Sequence, residues 1–183
     1  MQLPERKPNR LKTWDYSSAG AYFITICTVR HEWLLWRAAQ RYTPLRDTDA
    51  LPLSEYGMIV NDAIAAITKI YTGVVVDKYV VMPNHVHLII VIQESKVMDM
   101  AENKDGRANS QPSASIQKPF RFCAPTISTI INQMKGYVTK QIGFPIWQKL
   151  YYDHIIRNHD EYERTVKYID ENPMKWQEDC YYI

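Results

Sequence analysis

Long apolar runs are missing from this chain. No stretch reaches the roughly eighteen apolar residues that a membrane-crossing helix needs, so a helical membrane span is excluded. Cysteine is scarce: Cys27, Cys123 and Cys180 stand far apart and form no Cys-x-x-Cys pair. Neither a zinc knuckle nor a disulfide framework is indicated, and the three read as ordinary thiols. No Gly-x-x-x-x-Gly-Lys loop is present to cradle a nucleoside triphosphate. The segment Met1 to Lys7 carries charge and proline where a signal peptide would need an apolar run, so a cytoplasmic location is expected. Acid is absent over one long stretch: no Asp or Glu occurs from Gly106 to Tyr152, whereas Arg107, Lys118, Arg121, Lys135, Lys140 and Lys149 are all basic.

What is present suits a soluble globular protein. The 183 residues are 46% hydrophobic and 23% charged, enough for one core and one domain. A net charge of +2 says little; its distribution says more. The N-terminal arm, residues 1–20, sets Lys7, Arg10 and Lys12 beside Arg6 against few acids, and local excess of this kind suits a phosphate backbone or, equally, a solvated face.

Patterning gives the order of elements. Ala21 to Thr28 is β-branched and aromatic and reads as a strand, and Arg41 to Pro52 reads as a loop. Ser54 then caps a helix with Ile59, Ala63, Ile64, Ile67 and Tyr71 at helical spacing. Val74 to Met82 and His85 to Ile92 form a hairpin around Pro83-Asn84. The polar, proline-containing segment 94–125 is expected to be a mobile insertion. A second helix starts near Thr126, with Ile127, Ile130, Ile131, Met134 and Val138 as its apolar stripe. Tyr151 to Ile156 is a fourth strand. A final helix opens at Asp160, with Glu163 three residues on, and stops at Pro173. This order predicts a single α+β domain over residues 1–183. The expected form is a ferredoxin-like sandwich with a central antiparallel sheet and helices on one face.

Two places carry candidate chemistry. In His85-Val86-His87 the alternation of a strand sends both imidazoles to one face and Val86 to the other. The pair can hold a metal or simply hydrogen-bond at a strand end, and a metal site needs a third ligand. In the last helix, Tyr168 falls about 120° from Tyr162 on ideal geometry, and Asn172 lies on nearly the same line as Tyr168. They are either functional or a core-margin aromatic followed by a helix-end residue.

The run Tyr79-Val80-Val81-Met82-Pro83-Asn84-His85-Val86-His87-Leu88-Ile89 resembles the His-hydrophobic-His motif of the single-tyrosine HUH transposases, and more closely that of the REP-associated tyrosine transposases. Further blocks match in order. They are Arg10-Leu11-Lys12 with Trp14-Asp15-Tyr16-Ser17-Ser18, then Gly20 to Thr28, Trp147-Gln148, Tyr151 to Arg157, and Tyr168-Ile169-Asp170-Glu171-Asn172-Pro173. The resemblance covers nearly the whole chain apart from 94–125. It implies an HUH-endonuclease type of fold and a divalent ion, Mg²⁺ or Mn²⁺, on His85 and His87. It further implies Tyr168 as nucleophile, Asn172 as third ligand, and hairpin-bearing single-stranded DNA as partner. Imidazole is a poor match for hard Mg²⁺, so Mn²⁺ is expected to serve better in vitro.

On this basis the chain is expected to be a tyrosine-dependent DNA transesterase working through a 5′-phosphotyrosine. The alternatives are a hydrolytic metal-dependent nuclease and a non-catalytic nucleic-acid-binding module. Trp147, Lys149 and Arg157 are expected to bind DNA together with Lys7, Arg10 and Lys12, because aromatics interleaved with cations suit single strands. His154 is read as a surface histidine. Monomer and homodimer stay equally open.

Overall fold

The structure is a computed structural model that describes residues 15–38, 49–94 and 125–182. The elements run β1 (Gly20–Cys27), α1 (Glu55–Ile70), β2 (Val74–Val81), β3 (His85–Ile92), α2 (Ile127–Ile142), β4 (Tyr152–Ile156) and α3 (His159–Glu171). Short 3₁₀ turns lie at Val29–His31 and Trp176–Glu178. The four strands form one sheet in the order β2-β3-β1-β4, every pair antiparallel. This is the expected ferredoxin-like arrangement, and its boundaries fall within a residue or so of those read from the sequence.

Each helix starts where a side chain can take up its free N–H groups. Ser54 accepts from Gly57 N, Thr126 from Thr129 N, and Asn158 from Glu161 N. The last of these corrects the sequence reading. Asn158, with extended φ and ψ, is the cap of α3, so the helix begins at His159 and Asp160 lies inside its first turn. Gly57 is required by packing: a Cβ there would stand 2.0 Å from the Leu35 carbonyl oxygen. Gly143 ends α2 in the left-handed region, at φ 90°.

The placement of helices is also corrected. α1 and α2 share one face, where Val60, Ile64, Ile67, Ile130, Ile131 and Val138 pack with Tyr22, Ile24, Ile26, Val86, Leu88 and Ile90. α3 covers the other, where Ile169, Tyr162 and Val166 gather with Val80, Ile89, Ile156 and Phe23. The reason lies in β3. Its run from Leu88 to Ile90 is apolar on both faces and fully buried, so each face needs its own cover. A register shift between Val76 and Lys78 turns Asp77 out of the β2 ladder, and its carboxylate accepts from the Tyr162 hydroxyl of α3.

No helix among the described residues is long and apolar enough to cross a membrane. Lys7, Arg10 and Lys12, most of the 41–52 loop, Cys123 and nearly all of segment 94–125 lie outside the described residues. Cys27 is buried, and burial pushes its thiol up to about 11, as suits an unreactive thiol.

A histidine, tyrosine and aspartate site beneath the last helix

His85 opens β3 and His87 follows on the same face, the one that α3 covers. Strand pairing sets Cys27 opposite His85 and Thr25 opposite His87 on β1. Both imidazoles are sealed from solvent, with exposures of 0% and 1%, and their Nε2 atoms stand 2.9 Å apart. The outer nitrogens are each engaged. His85 Nδ1 lies 2.8 Å from Asn84 Oδ1, and His87 Nδ1 lies 2.9 Å from Thr25 Oγ1. Phe23 stacks on the His87 ring at 5.3 Å and Tyr181 covers His85 at 4.5 Å.

Electrostatics keep these rings neutral. Burial, helped by the charge of nearby His31, lowers His85 to about 3. Burial and then His85 hold His87 well below the ordinary histidine range, while Asp179 pulls the other way. Neutral imidazoles present lone pairs, and facing lone pairs at this separation repel unless a proton or a cation lies between them.

α3 brings Tyr168 to the pair. Its hydroxyl oxygen stands 3.2 Å from His87 Nε2 and donates to Asp179 Oδ2 at 3.4 Å. The ring meets His87 and Phe23 edge-on, yet Tyr168 keeps 41% of its surface exposed. Solvent therefore reaches it. Burial of the hydroxyl, then Asp179 and Cys180, raise its pKa well above the usual phenol value, opposed by a hydrogen bond from the Asn172 side chain. Asn172, one turn on, is itself buried, and its Oδ1 has no hydrogen-bond partner. Tyr168, Asn172 and Asp179 line one pocket of about 170 Å³.

Among the described residues, His85, His87 and Asp179 form a group whose ligand atoms all lie within 4.8 Å of one another. Two nitrogens on neighbouring vertices of an octahedral ion, each about 2.1 Å from it, stand about 3.0 Å apart. The spacing of the two imidazoles fits that, and the unpartnered Asn172 oxygen belongs to a residue that lines one pocket with Tyr168 and Asp179. Two neutral imidazoles and a carboxylate suit a first-row divalent ion.

The four residues predicted from the two ends of the chain, His85, His87, Tyr168 and Asn172, are thus brought together. Asp179 was missed. It follows the stop at Pro173, on a tail that returns to the sheet because Trp176 is buried and Tyr182 packs on Trp33 and Trp176. Thr25 and Asn84 were also missed as partners of the histidines. A polar residue between Ile24 and Ile26 was the available signal for Thr25, whereas Asn84 was read only as turn chemistry.

Other predicted residues fall elsewhere. Trp147 is 6% exposed and belongs to the core on the α1–α2 side, which corrects its assignment as a base-stacking surface. Lys149 and Arg157 are exposed at opposite ends of β4. Lys149 precedes the Tyr152 end, which pairs with Thr25, and Arg157 follows the Ile156 end, which pairs with Ala21. His154 is half-buried, its Nε2 2.6 Å from Glu161 Oε1.

No family model matches the chain. It is 32% identical over 187 residues to an uncharacterized protein of Haemophilus influenzae, across 99% of this chain and 95% of the relative. Among solved structures it is similar to a REP-associated tyrosine transposase bound to a REP hairpin, with a TM-score of 0.54 and 21% identity. That similarity covers 95% of this chain and 74% of the other, and it is a likeness of fold.

Proposed function

The chain belongs to one family with the Haemophilus influenzae protein, and from that premise and the shared transposase fold we propose that it is a metal-dependent, tyrosine-dependent single-stranded DNA endonuclease and strand transferase. It works as a single catalytic domain in the cytoplasm, on DNA that carries a hairpin. One observation carries this reading: the Tyr168 hydroxyl stands 3.2 Å from His87 Nε2, at the mouth of a buried pair of neutral imidazoles.

His85, His87 and Asp179 would hold the divalent ion, with Asn172 as a further donor. When bound, the ion supplies positive charge that neutralises the phosphate oxygens and the developing phenolate. The remaining work falls to the chain. Tyr168 sits on a packed helix, held by Phe23, His87 and Asn172, so its oxygen is aimed before substrate arrives. The new bond joins the tyrosine oxygen to phosphorus, and the bond from phosphorus to the 3′ oxygen breaks. The phenol gives up its proton to water, which reaches the exposed Tyr168, and the departing 3′ oxygen takes one up from water to become a hydroxyl. Because the phosphodiester energy is kept in the 5′-phosphotyrosine, rejoining needs no nucleotide.

The test uses hairpin-bearing single-stranded oligonucleotides and Mn²⁺, with products run on a denaturing gel. The parent protein is expected to form a covalent adduct and Tyr168→Phe to form none. An equal adduct from Tyr168→Phe would remove Tyr168 as nucleophile. Cleavage with no adduct from either protein would point to water as the attacking group.

A further inference from the structure

The Asn84 side chain is fully buried, and each of its polar atoms is engaged. Its Nδ2 donates to the Tyr181 carbonyl at 2.8 Å and to the His31 carbonyl at 3.3 Å. Its Oδ1 faces His85 Nδ1 at 2.8 Å. These contacts leave the carboxamide one orientation, because turning it over would set Oδ1 against two carbonyl oxygens. With Oδ1 toward the ring, the His85 hydrogen must sit on Nδ1, and the Nε2 lone pair points at His87.

The surroundings are built to hold this arrangement. The Asn84 carbonyl accepts from Thr28 N at 2.8 Å and from Thr28 Oγ1 at 3.0 Å, and Thr28 is fully buried. Arg30 and His31 are successive non-glycine residues at φ 54° and 55°, a conformation the chain keeps only where surrounding contacts dictate it. The turn they form presents the His31 carbonyl to Asn84 and lays the His31 ring on Tyr181 at 5.6 Å. Tyr181 in turn lies two residues beyond Asp179, and its N–H donates to Asp179 Oδ1 at 2.7 Å.

We infer that Asn84 is the positioning residue of the site: it fixes the tautomer of His85 and ties the tail that carries Asp179 to the same strand end. Turn chemistry alone needs neither role, since a glycine or aspartate would make the turn. The inference rests on the proposed metal-binding role of His85 only for its consequence. The tautomer and the tether are properties of the metal-free protein. Outer partners of metal-ligating histidines commonly change metal affinity by about 10–100-fold when removed.

Two variants separate the roles. Asn84→Asp keeps an acceptor for Nδ1–H and loses both donors to the carbonyls, whereas Asn84→Ala loses all three contacts. In metal-free protein, ¹⁵N NMR of the His85 ring is expected to show the Nδ1–H form in the parent and in Asn84→Asp, and a shift towards Nε2–H in Asn84→Ala. Amide exchange at residues 179–182 should quicken in both variants. Mn²⁺ affinity should fall at least about 10-fold in Asn84→Ala. An unchanged tautomer in Asn84→Ala, or unchanged tail exchange in Asn84→Asp, would overturn the inference. If Asn84→Ala does not fold, tail exchange in Asn84→Asp still decides. A parent that binds no Mn²⁺ would defeat the proposed function and leave the tautomer and exchange results to judge Asn84.

Discussion

Acidification of the metal-free protein is expected to weaken the fold through His85 and His87 before most carboxylates titrate. In the native state burial lowers His85 to about 3 and holds His87 well below its ordinary range, whereas both return to about 6.5 in the unfolded chain. At pH 7.5 neither state binds these protons appreciably, so the pair contributes nothing there. As pH falls through 6.5 the unfolded chain takes up two protons that the native protein refuses, and stability drops until the native pKa values are reached. At pH 5.5 a group with a pKa of 6.5 is mostly protonated, which favours unfolding by about 1.4 kcal/mol, or about 3 kcal/mol for the pair. That is a large share of the roughly 5–15 kcal/mol by which domains are stable. Urea denaturation with chelator present, at pH 7.5, 6.5 and 5.5, measures it. The double variant His85→Gln, His87→Gln serves as the reference, because every other ionisable group is common to both proteins. The parent should lose about 3 kcal/mol more than the variant between pH 7.5 and 5.5. Losses that agree within about 0.5 kcal/mol would show that the rings accept protons in the folded state and would refute the account of the site as a sealed, neutral pair.

Thr25→Val removes the hydroxyl beside His87 Nδ1 where no water can replace it, since Thr25 is 2% exposed. A cost of about 1–3 kcal/mol is expected for the unsatisfied nitrogen, less what valine adds as a strand former, together with about 10–100-fold weaker Mn²⁺ binding; Thr25→Ser should recover most of the affinity in the same calorimetric titration. Trp147→Ala is expected to cost about 3–5 kcal/mol in urea unfolding, as a core truncation, and to leave the salt dependence of hairpin binding unchanged. Replacing Lys7, Arg10 and Lys12 together by Gln should do the opposite. Stability stays the same, while the slope of log affinity against log salt becomes shallower by about 2–3, checked by fluorescence anisotropy at several salt concentrations.

The fold was legible because its signals are local and agree with one another. Each helix carries an apolar stripe, and β3 announces a central strand through an unbroken apolar run. That same run held information the expected one-sided sandwich did not use: a strand apolar on both faces cannot lie under helices on one side only. α3 shows why its outer placement was easy to miss. Of its three stripe positions only Ile169 is buried, while Tyr162 and Val166 are half-exposed, so its pattern is weak beside those of α1 and α2. Its start was misjudged because Asn158 and Asp160 are both good caps, and only the extended backbone at Asn158 decides between them. Trp147 was misplaced for a related reason. Neighbouring cations made it look like a surface aromatic, but its bridge to Thr28 buries it beside Ile146.

The site was half legible, and the division follows the reach of each signal. Strand alternation put His85 and His87 on one face, and the helical repeat put Asn172 above Tyr168, because both relations span only a few residues. Nothing local relates Asp179 to His87. Their meeting depends on a tail after Pro173 whose course is set by Trp176 and Tyr182 reaching Trp33, a set of contacts without period. Chemistry offered the one general clue, since two imidazoles that hold a hard or borderline divalent ion call for an oxygen donor with charge. A carboxamide supplies the oxygen but not the charge. If Asp179 is that donor, removing its charge by Asp179→Asn should weaken Mn²⁺ binding more than Asn172→Ala does, although Asn172 was the residue the sequence put forward. The reverse order in a Mn²⁺ titration would return the third position to the helix and leave Asp179 as the hydrogen-bond acceptor of the Tyr168 hydroxyl.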